Sequence, residues 1–104
     1  MKTSKQPAQL IFFKKESCAP CLNAQLALDY VLSINPEYES FVTILQKEEH
    51  PDLVEELDLS LYPTVIIADQ NDNEISRKVG GRTLTHEWWN SALYALYRRS
   101  TDAE

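Results

Sequence analysis

The apolar residues of this chain fall into short runs separated by turn-forming residues. The segment Gln9–Phe13 is a short apolar run, which is typical of a strand covered on both faces. The β-branched, apolar segment Phe41–Leu45 predicts a second buried strand, and Pro63–Asp69 predicts a third. After the turn-rich segment Asp69–Asn73, polar and apolar residues alternate over Glu74–Val79, which predicts an edge strand exposed on one face.

Three other segments have helical spacing. In the first, the apolar residues Ala24, Leu28, Val31 and Leu32 recur at helical spacing after the cysteines, and the helix stops at Asn35 because the residue before a proline avoids helical angles. A short helix is expected from Pro51, with an apolar face of Leu53, Val54 and Leu57. The last helix begins after Thr85, a plausible N-cap, and carries Trp89, Ala92, Leu93, Leu96 and Tyr97 on one face.

The order of these elements is β-α-β-α-β-β-α. Parallel strands joined by helices, followed by an antiparallel hairpin that ends at Gly80-Gly81 and a closing helix, predict an α/β three-layer sandwich. Its sheet is expected to be mixed and four-stranded. Trp88 and Trp89 are interpreted as packing residues of the last helix.

Length and composition narrow the class of protein. The 104 residues predict one domain, 1–104, with 1–8 and 100–104 as loose tails, and the 43% hydrophobic and 25% charged content is typical of a soluble globular protein. A net charge of −6 argues against nucleic acid or an anionic membrane as partner. The apolar run Leu10–Phe13 is too short for a signal-peptide core or a membrane span, so we expect a cytoplasmic protein in a reducing environment. We also expect a monomer.

The two cysteines, Cys18 and Cys21, are separated by Ala19 and Pro20. In a reducing compartment a close pair is more often catalytic or metal-binding than structural. Zinc needs four ligands, and the two histidines, His50 and His86, lie far from the pair without finger-like spacing, so no metal site is expected. Two small core residues, or a degenerate site, remain an alternative.

Cys18 falls where the first strand meets the first helix. A helix N-terminus has unpaired N–H groups and a partial positive charge, so it favours a thiolate over a thiol. Lowering a thiol pKa from ~8.5 to ~7 corresponds to about 2 kcal/mol, which makes about half of the thiol reactive at neutral pH. Cys21 lies one turn further and more buried, and Pro20 fits a first turn that has no N–H partner to lose.

Pro63 precedes a predicted buried strand, where its missing N–H is awkward. We expect a cis peptide bond after Tyr62 that turns the backbone toward the cysteines. The basic residues Lys14, Lys15 and Arg82 could border the same site and favour the thiolate or an acidic partner, although solvated charge is the simpler interpretation.

From Leu10 to Tyr97 the chain resembles the thioredoxin superfamily, through Cys18-Ala19-Pro20-Cys21, Pro63-Thr64 and Val79-Gly80. The resemblance implies that Cys18 is the nucleophile and Cys21 the resolving residue, with no cofactor beyond their redox-active disulfide. It also implies substrate contacts at Tyr62, Pro63, Ala19, Pro20 and Gly80, with Tyr62 facing the reactive sulfur. The implied partners are disulfide-containing proteins and an upstream reductase or glutathione.

The chain departs from that family at three positions. Ser17 stands where thioredoxins usually have a tryptophan, and Phe12 and Ile44 stand at the positions of a buried acid and its partner lysine. Losing both charged residues together leaves an apolar core, whereas losing only one would leave the other buried charge without a partner. The resemblance then implies that Cys21 is deprotonated by water or by the departing thiolate. About nine residues precede Leu10, so the first strand and helix of the family are expected to be absent.

Three functions are compatible with this sequence. The first is a thiol–disulfide oxidoreductase that reduces protein disulfides. The second is a glutathione-dependent, glutaredoxin-like reductase, which the trimmed N-terminus favours and the Ala19-Pro20 dipeptide, in place of Pro-Tyr, disfavours. The third is a non-catalytic binding module, suggested by the missing acid, lysine and tryptophan.

Overall fold

The computed structural model of the protein describes residues 8–102. The strands are β1 Gln9–Lys14, β2 Val42–Gln46, β3 Thr64–Ala68 and β4 Glu74–Val79, and the helices are α1 Ala19–Ile34, α2 Pro51–Glu56 and α3 His86–Asp102. Short 3-10 helices occur at Pro36–Phe41, Lys47–Glu49 and Gly81–Thr83. The predicted order β-α-β-α-β-β-α and the α/β class are confirmed.

The four strands form one mixed sheet in the order β2-β1-β3-β4. β1 and β2 are parallel, whereas β3 is antiparallel to both β1 and β4. The expectation of parallel strands joined by helices therefore holds for β1-α1-β2 but is wrong for β3. The apolar pattern could not reveal this, because a central strand is equally apolar in either direction.

The second strand is not buried, contrary to the sequence analysis. β2 lies at the edge of the sheet, its residues Thr43 and Ile44 are exposed, and Ile44 retains 37% of its accessible surface. β-branched and apolar residues suit any pleated strand, so their enrichment does not distinguish an edge from a centre. Phe41, assigned to this strand from sequence, instead ends the preceding 3-10 helix and is buried there.

The larger core lies between the sheet and the helices α1 and α3. Phe12 of β1 meets the ring of Trp89 edge-on, with 5.4 Å between ring centroids. Trp89 is fully buried, and its Nε1–H donates to the carbonyl of Ala24 in α1 at 3.0 Å. Trp88 is partly buried and packs edge-on against Trp89, so the predicted packing role of both tryptophans is confirmed.

A smaller core lies on the opposite face of the sheet, because successive residues of β1 point to alternate faces. It consists of Phe13, Leu59 and Ile66, with partly buried residues of α2 packed against them. No residue of α2 itself is buried.

The ends of the described segment are packed or helical. Ala8 is buried in the larger core, and α3 continues to Asp102. The rest of the segments expected to be tails, residues 1–7 and 103–104, lies outside the described residues. Thr85 caps α3, because its Oγ1 accepts a hydrogen bond from the N–H of Trp88 at 3.1 Å, as predicted. Within residues 8–102, no helix combines the length and the apolar character that crossing a membrane requires.

Candidate redox site

Cys18 is the N-cap of α1, so it lies at the junction of the first strand and the first helix, as predicted. Its backbone is extended, with φ −125° and ψ 100°, and its Sγ accepts a hydrogen bond from the N–H of Cys21 at 3.1 Å. Its carbonyl accepts the N–H of Leu22 at 3.0 Å, which closes the first helical turn. A sulfur that receives a backbone N–H at a helix N-terminus lies where negative charge is stabilised.

The two cysteines are joined by a disulfide, with 5.2 Å between their Cα atoms. Cys21 is only 2% exposed, whereas Cys18 is partly exposed. The outer sulfur is therefore open to a partner molecule, and the inner sulfur lies behind it within bonding reach.

Ser17 precedes the pair in a left-handed backbone conformation, with φ +53°. This conformation is uncommon for a residue other than glycine, asparagine or aspartate, and it turns the chain sharply from β1 into α1. The family resemblance singled out Ser17 for a missing tryptophan and gave no sign of this backbone role.

Pro63 is linked to the cysteine motif through the glycine pair Gly80-Gly81. The Tyr62–Pro63 peptide bond is cis, and Pro63 is fully buried. Its carbonyl accepts the N–H of Gly80 at 2.9 Å. The adjacent Thr64 is 1% exposed, and its Oγ1 donates to the carbonyl of Leu61 at 2.6 Å. Two hydrogen bonds thus fix the backbone on either side of the proline.

The glycine pair connects this loop to the cysteine motif. Gly80 has φ +100°, which favours glycine, and nothing lies within 4 Å of where its Cβ would be. A Cβ on Gly81 would instead lie 2.8 Å from the Cβ of Pro20 and 2.9 Å from its carbonyl oxygen. Gly80 was predicted from the sequence as a site residue, whereas Gly81 was not. The doubling of glycine in a chain that has no other was the available signal.

Tyr62 packs with the smaller core, and the Nζ of Lys47 lies 5.4 Å from the centre of its ring. Its hydroxyl is buried and has no hydrogen-bond partner among the described residues. Burial, and secondarily the negative charge of Glu48, raises the pKa of Tyr62. That Tyr62 faces the reactive sulfur stays a prediction.

An open groove of about 510 Å³ runs beside Cys18. Its lining includes Lys14, Lys15, Ser17 and Leu22. The Nζ of Lys14 donates to Oε1 of Gln25 at 2.9 Å across this groove. Arg82 does not line it. That residue lies in a separate cavity of about 260 Å³, formed with Ala19, Pro20, Asn23 and Gly81.

The positions of the family's acid and lysine are neighbours in this structure. Phe12 and Ile44 are register partners on β1 and β2. Phe12 is fully buried, as an apolar replacement predicts, whereas Ile44 lies on the exposed edge. Both positions are therefore apolar, and neither can supply a proton acceptor for Cys21.

Both histidines lie at helix starts. His50 is the N-cap residue of α2 without a side-chain cap, and His86 begins α3 and contacts the ring of Tyr30 at 4.7 Å. Within the described part of the chain, no three His, Cys, Asp or Glu side chains are grouped so that they could hold a metal ion.

Comparison with known proteins places the fold. The sequence matches no protein-family model and no curated protein. Among solved structures, mitochondrial thioredoxin 3 of Saccharomyces cerevisiae superposes with a TM-score of 0.64, at 18% identity over 88% of this chain and 80% of the other. Thioredoxin-2, a component of the malaria parasite protein secretion machinery, superposes with a TM-score of 0.69, at 15% identity over 89% of this chain and 86% of the other. Chloroplastic thioredoxin z gives 0.66, at 20% identity over 90% and 81%.

These similarities define the class of fold. The protein is an α/β protein with the thioredoxin fold, and a Cys-x-x-Cys pair at disulfide distance opens its first helix. Identities of 20% or less establish the architecture, and the chemistry has to be argued from the site itself.

Proposed function

We propose that this protein is a thiol–disulfide oxidoreductase that reduces disulfides in other proteins. The observation that carries the proposal is the asymmetry of the two sulfurs. Cys18 is partly exposed and accepts the N–H of Cys21 at the start of α1, while Cys21 is almost fully buried. One accessible, stabilised sulfur with a hidden second sulfur beside it is what a two-step exchange requires.

In the first step the thiolate of reduced Cys18 attacks one sulfur of the substrate disulfide. A bond forms between Cys18 Sγ and that sulfur, the substrate S–S bond breaks, and the other substrate sulfur leaves as a thiolate. The N–H of Cys21 stabilises the attacking thiolate before the bond forms.

In the second step Cys21, as a thiolate, attacks the Cys18 sulfur of the mixed disulfide. The Cys18–Cys21 disulfide forms, the intermolecular bond breaks, and the second substrate sulfur leaves reduced. Two electrons have then passed from the cysteine pair to the substrate. The Cys21 proton goes to water or to the thiolate released in the first step, because Phe12 and Ile44 offer no base. An external thiol donor, a reductase dithiol or glutathione, returns the pair to the reduced state.

The proline loop is proposed to hold the substrate backbone. Pro63 is fixed by its hydrogen bond with Gly80, and Gly81 sits directly against Pro20. Tyr62, Ala19, Pro20 and Gly80 would therefore present a surface near Cys18, supported from below by the buried Pro63. The protein would need no bound cofactor, and it would act as a monomer in a reducing compartment such as the cytoplasm.

Two single substitutions test this chemistry. We expect Cys18→Ser to abolish reduction of insulin disulfides, because the attacking sulfur is lost. Cys21→Ser should instead accumulate a covalent mixed disulfide with the substrate, visible by non-reducing electrophoresis and reversed by dithiothreitol. The wild-type protein, assayed in parallel, supplies the reference rate.

The pattern of the two variants decides the mechanism. Undiminished insulin reduction by both variants would rule out the cysteine pair as the redox centre. The same assay, supplied with electrons either by a thioredoxin-reductase system or by glutathione, identifies which thiol donor reduces the Cys18–Cys21 disulfide.

A further inference from the structure

The outer face of α1 carries a row of exposed apolar side chains. Leu22, Leu26, Tyr30 and Ile34 recur every four residues and retain 59%, 57%, 54% and 58% of their accessible surface. Residues four apart lie on the same side of a helix, so the row extends for roughly 18 Å along the axis. We call these four residues the α1 stripe.

The composition of α1 makes the stripe unusual for a solvated helix. The opposite side of α1, with Ala24, Leu28 and Val31, is buried in the larger core. The only charged residue anywhere in Ala19–Ile34 is Asp29, although a quarter of the chain is charged. A surface helix normally has a charged outer face, and an extended exposed apolar patch marks an interaction surface.

The α1 stripe starts at the candidate redox site. Its first member, Leu22, lines the groove beside Cys18. A molecule seated over the outer sulfur therefore meets Leu22 and, one turn further, Leu26. The stripe is thus continuous with the place where the chemistry is proposed to occur.

The groove also has two basic residues in its lining. Lys14 and Lys15 line it together with one acid, Glu16, in a chain of net charge −6. Lys14 donates to the neutral amide oxygen of Gln25. Among the side chains that the structure describes, those of residues 8–100, an ion pair joins Arg77 to Glu74. No carboxylate pairs with either lysine within that range, so both charges are available to an acidic partner.

We propose that the groove and the α1 stripe dock the disulfide-bearing segment of a substrate protein. The segment would place apolar side chains on Leu22 and Leu26, and an acidic side chain beside Lys14 and Lys15. This inference rests on the proposed oxidoreductase function and adds the class of substrate. It also assigns binding residues outside the loop formed by Pro63 and Gly80.

A second copy of the chain is a poorer occupant of the same surface. In a two-fold symmetric pair each copy presents the same patch to the other. Pairing through the groove would bring Lys14 and Lys15 toward their equivalents and would cover Cys18. Like charges oppose such pairing, whereas an acidic substrate segment complements it.

The apolar part of the proposal is tested with two kinds of disulfide. One is an oxidised synthetic peptide with leucines beside its cysteine, and the other is hydroxyethyl disulfide, which is too small to reach Leu26. For Leu22→Gln and Leu26→Gln we expect the ratio of the two kcat/KM values, peptide over small disulfide, to fall about five-fold each. The matched control is Ile75→Gln, at a 49% exposed position on β4, and it should leave both rates unchanged.

The charged part is tested by varying the peptide. A peptide with glutamate near its cysteine should react several-fold faster than the same peptide with lysine, and added salt should reduce the difference. In Lys14→Gln/Lys15→Gln the preference should disappear. Lys78→Gln, on β4, which β3 separates from β1 in the sheet, lies outside the groove lining and should retain it.

The outcomes distinguish the proposed oxidoreductase function from the proposed docking surface. If the wild-type protein reduces neither disulfide, the oxidoreductase function itself is wrong. If it reduces both and the peptide ratio is the same in Leu22→Gln and Leu26→Gln, the docking surface is wrong while the function stands. A wild-type dimer that Leu26→Gln converts to a monomer without changing the ratio would assign the stripe to self-association and would also overturn the proposal.

Discussion

Cys18 and Cys21 are chemically identical residues that their surroundings make different. The N-cap position gives Cys18 a backbone donor and partial exposure, while the following turn of α1 puts Cys21 under the surface. The close approach of Gly81 to Pro20, which lies between the cysteines, supports this arrangement from outside. The geometry of the pair therefore depends on a residue sixty positions away in the chain, which has no side chain.

Gly81→Ala tests that contact. A Cβ at this position would lie 2.8 Å from the Cβ of Pro20, closer than carbon atoms approach in folded proteins, so the backbone must move. We expect the free energy of unfolding to fall by about 1–3 kcal/mol, the usual cost of overpacking. Urea denaturation measures this change.

Gly80→Ala is the matched comparison, since its Cβ would meet open space but its φ of +100° is unfavourable for alanine. Both substitutions should destabilise the protein. Only Gly81→Ala should also shift the amide resonance of Ala19, because only it displaces Pro20. An unchanged urea midpoint for Gly81→Ala would contradict the close contact, because the loop would then accommodate the added methyl group.

At the scale of an element, the hairpin of β3 and β4 is closed by one carboxylate. Oδ1 of Asp69 accepts the N–H groups of Asn71 at 2.8 Å and Asn73 at 2.9 Å, and the N–H of Asp69 donates to the carbonyl of Asn73 at 2.9 Å. The backbone N–H of Asn73, followed by that of Asn71, lowers the pKa of Asp69 below its usual value of 3.8. The charged form of the Asp69 side chain therefore stabilises the turn of the hairpin.

Acid should weaken the contribution of this carboxylate. Because the pKa of Asp69 is lower in the folded chain, its contribution to stability is complete above pH 3.8 and is lost as the pH falls through the folded value. Asp69→Asn should be less stable than wild type at pH 7, and the difference in free energy of unfolding should shrink below pH 4.

Denaturant titrations at pH 7 and pH 3 provide the measurement. Asp72→Asn removes the same charge from the same turn without touching the oxygen that Asn71 and Asn73 bind, so it controls for net charge. If the difference in free energy of unfolding between the wild type and Asp69→Asn stays constant with pH, the amide and the carboxylate act alike in this turn.

For the whole molecule, sequence reasoning succeeded where local pattern and local chemistry coincide. The order of elements, the N-cap position of Cys18 and the Thr85 cap all follow from short-range spacing. The direction of β3 and the edge position of β2 did not follow, because apolar runs encode burial and not strand order. The contact of Gly81 with Pro20 was missed for the same reason, since it joins segments distant in the chain.

The two faces of the sheet are unequally covered. α1 and α3 enclose the larger core, including the fully buried Trp89, whereas the smaller core is covered by α2, which has six residues and none buried. The last turn of α2 carries Glu55 and Glu56 and no basic residue, so charge opposes the helix dipole there. We infer that the α2 side opens more readily than the α1 side.

Native-state hydrogen exchange tests this inequality. The amide of Leu57, bonded to the carbonyl of Leu53 at 2.9 Å, should exchange through a local opening with a lower free energy than the amide of buried Leu28 in α1. The opening at Leu57 should also respond little to denaturant, because it exposes little surface. Equal opening free energies at the two amides would mean that the fold opens as one unit. If they differ as expected, the helix that holds the cysteine pair belongs to the layer that opens last, so the redox site keeps its geometry while the opposite layer opens.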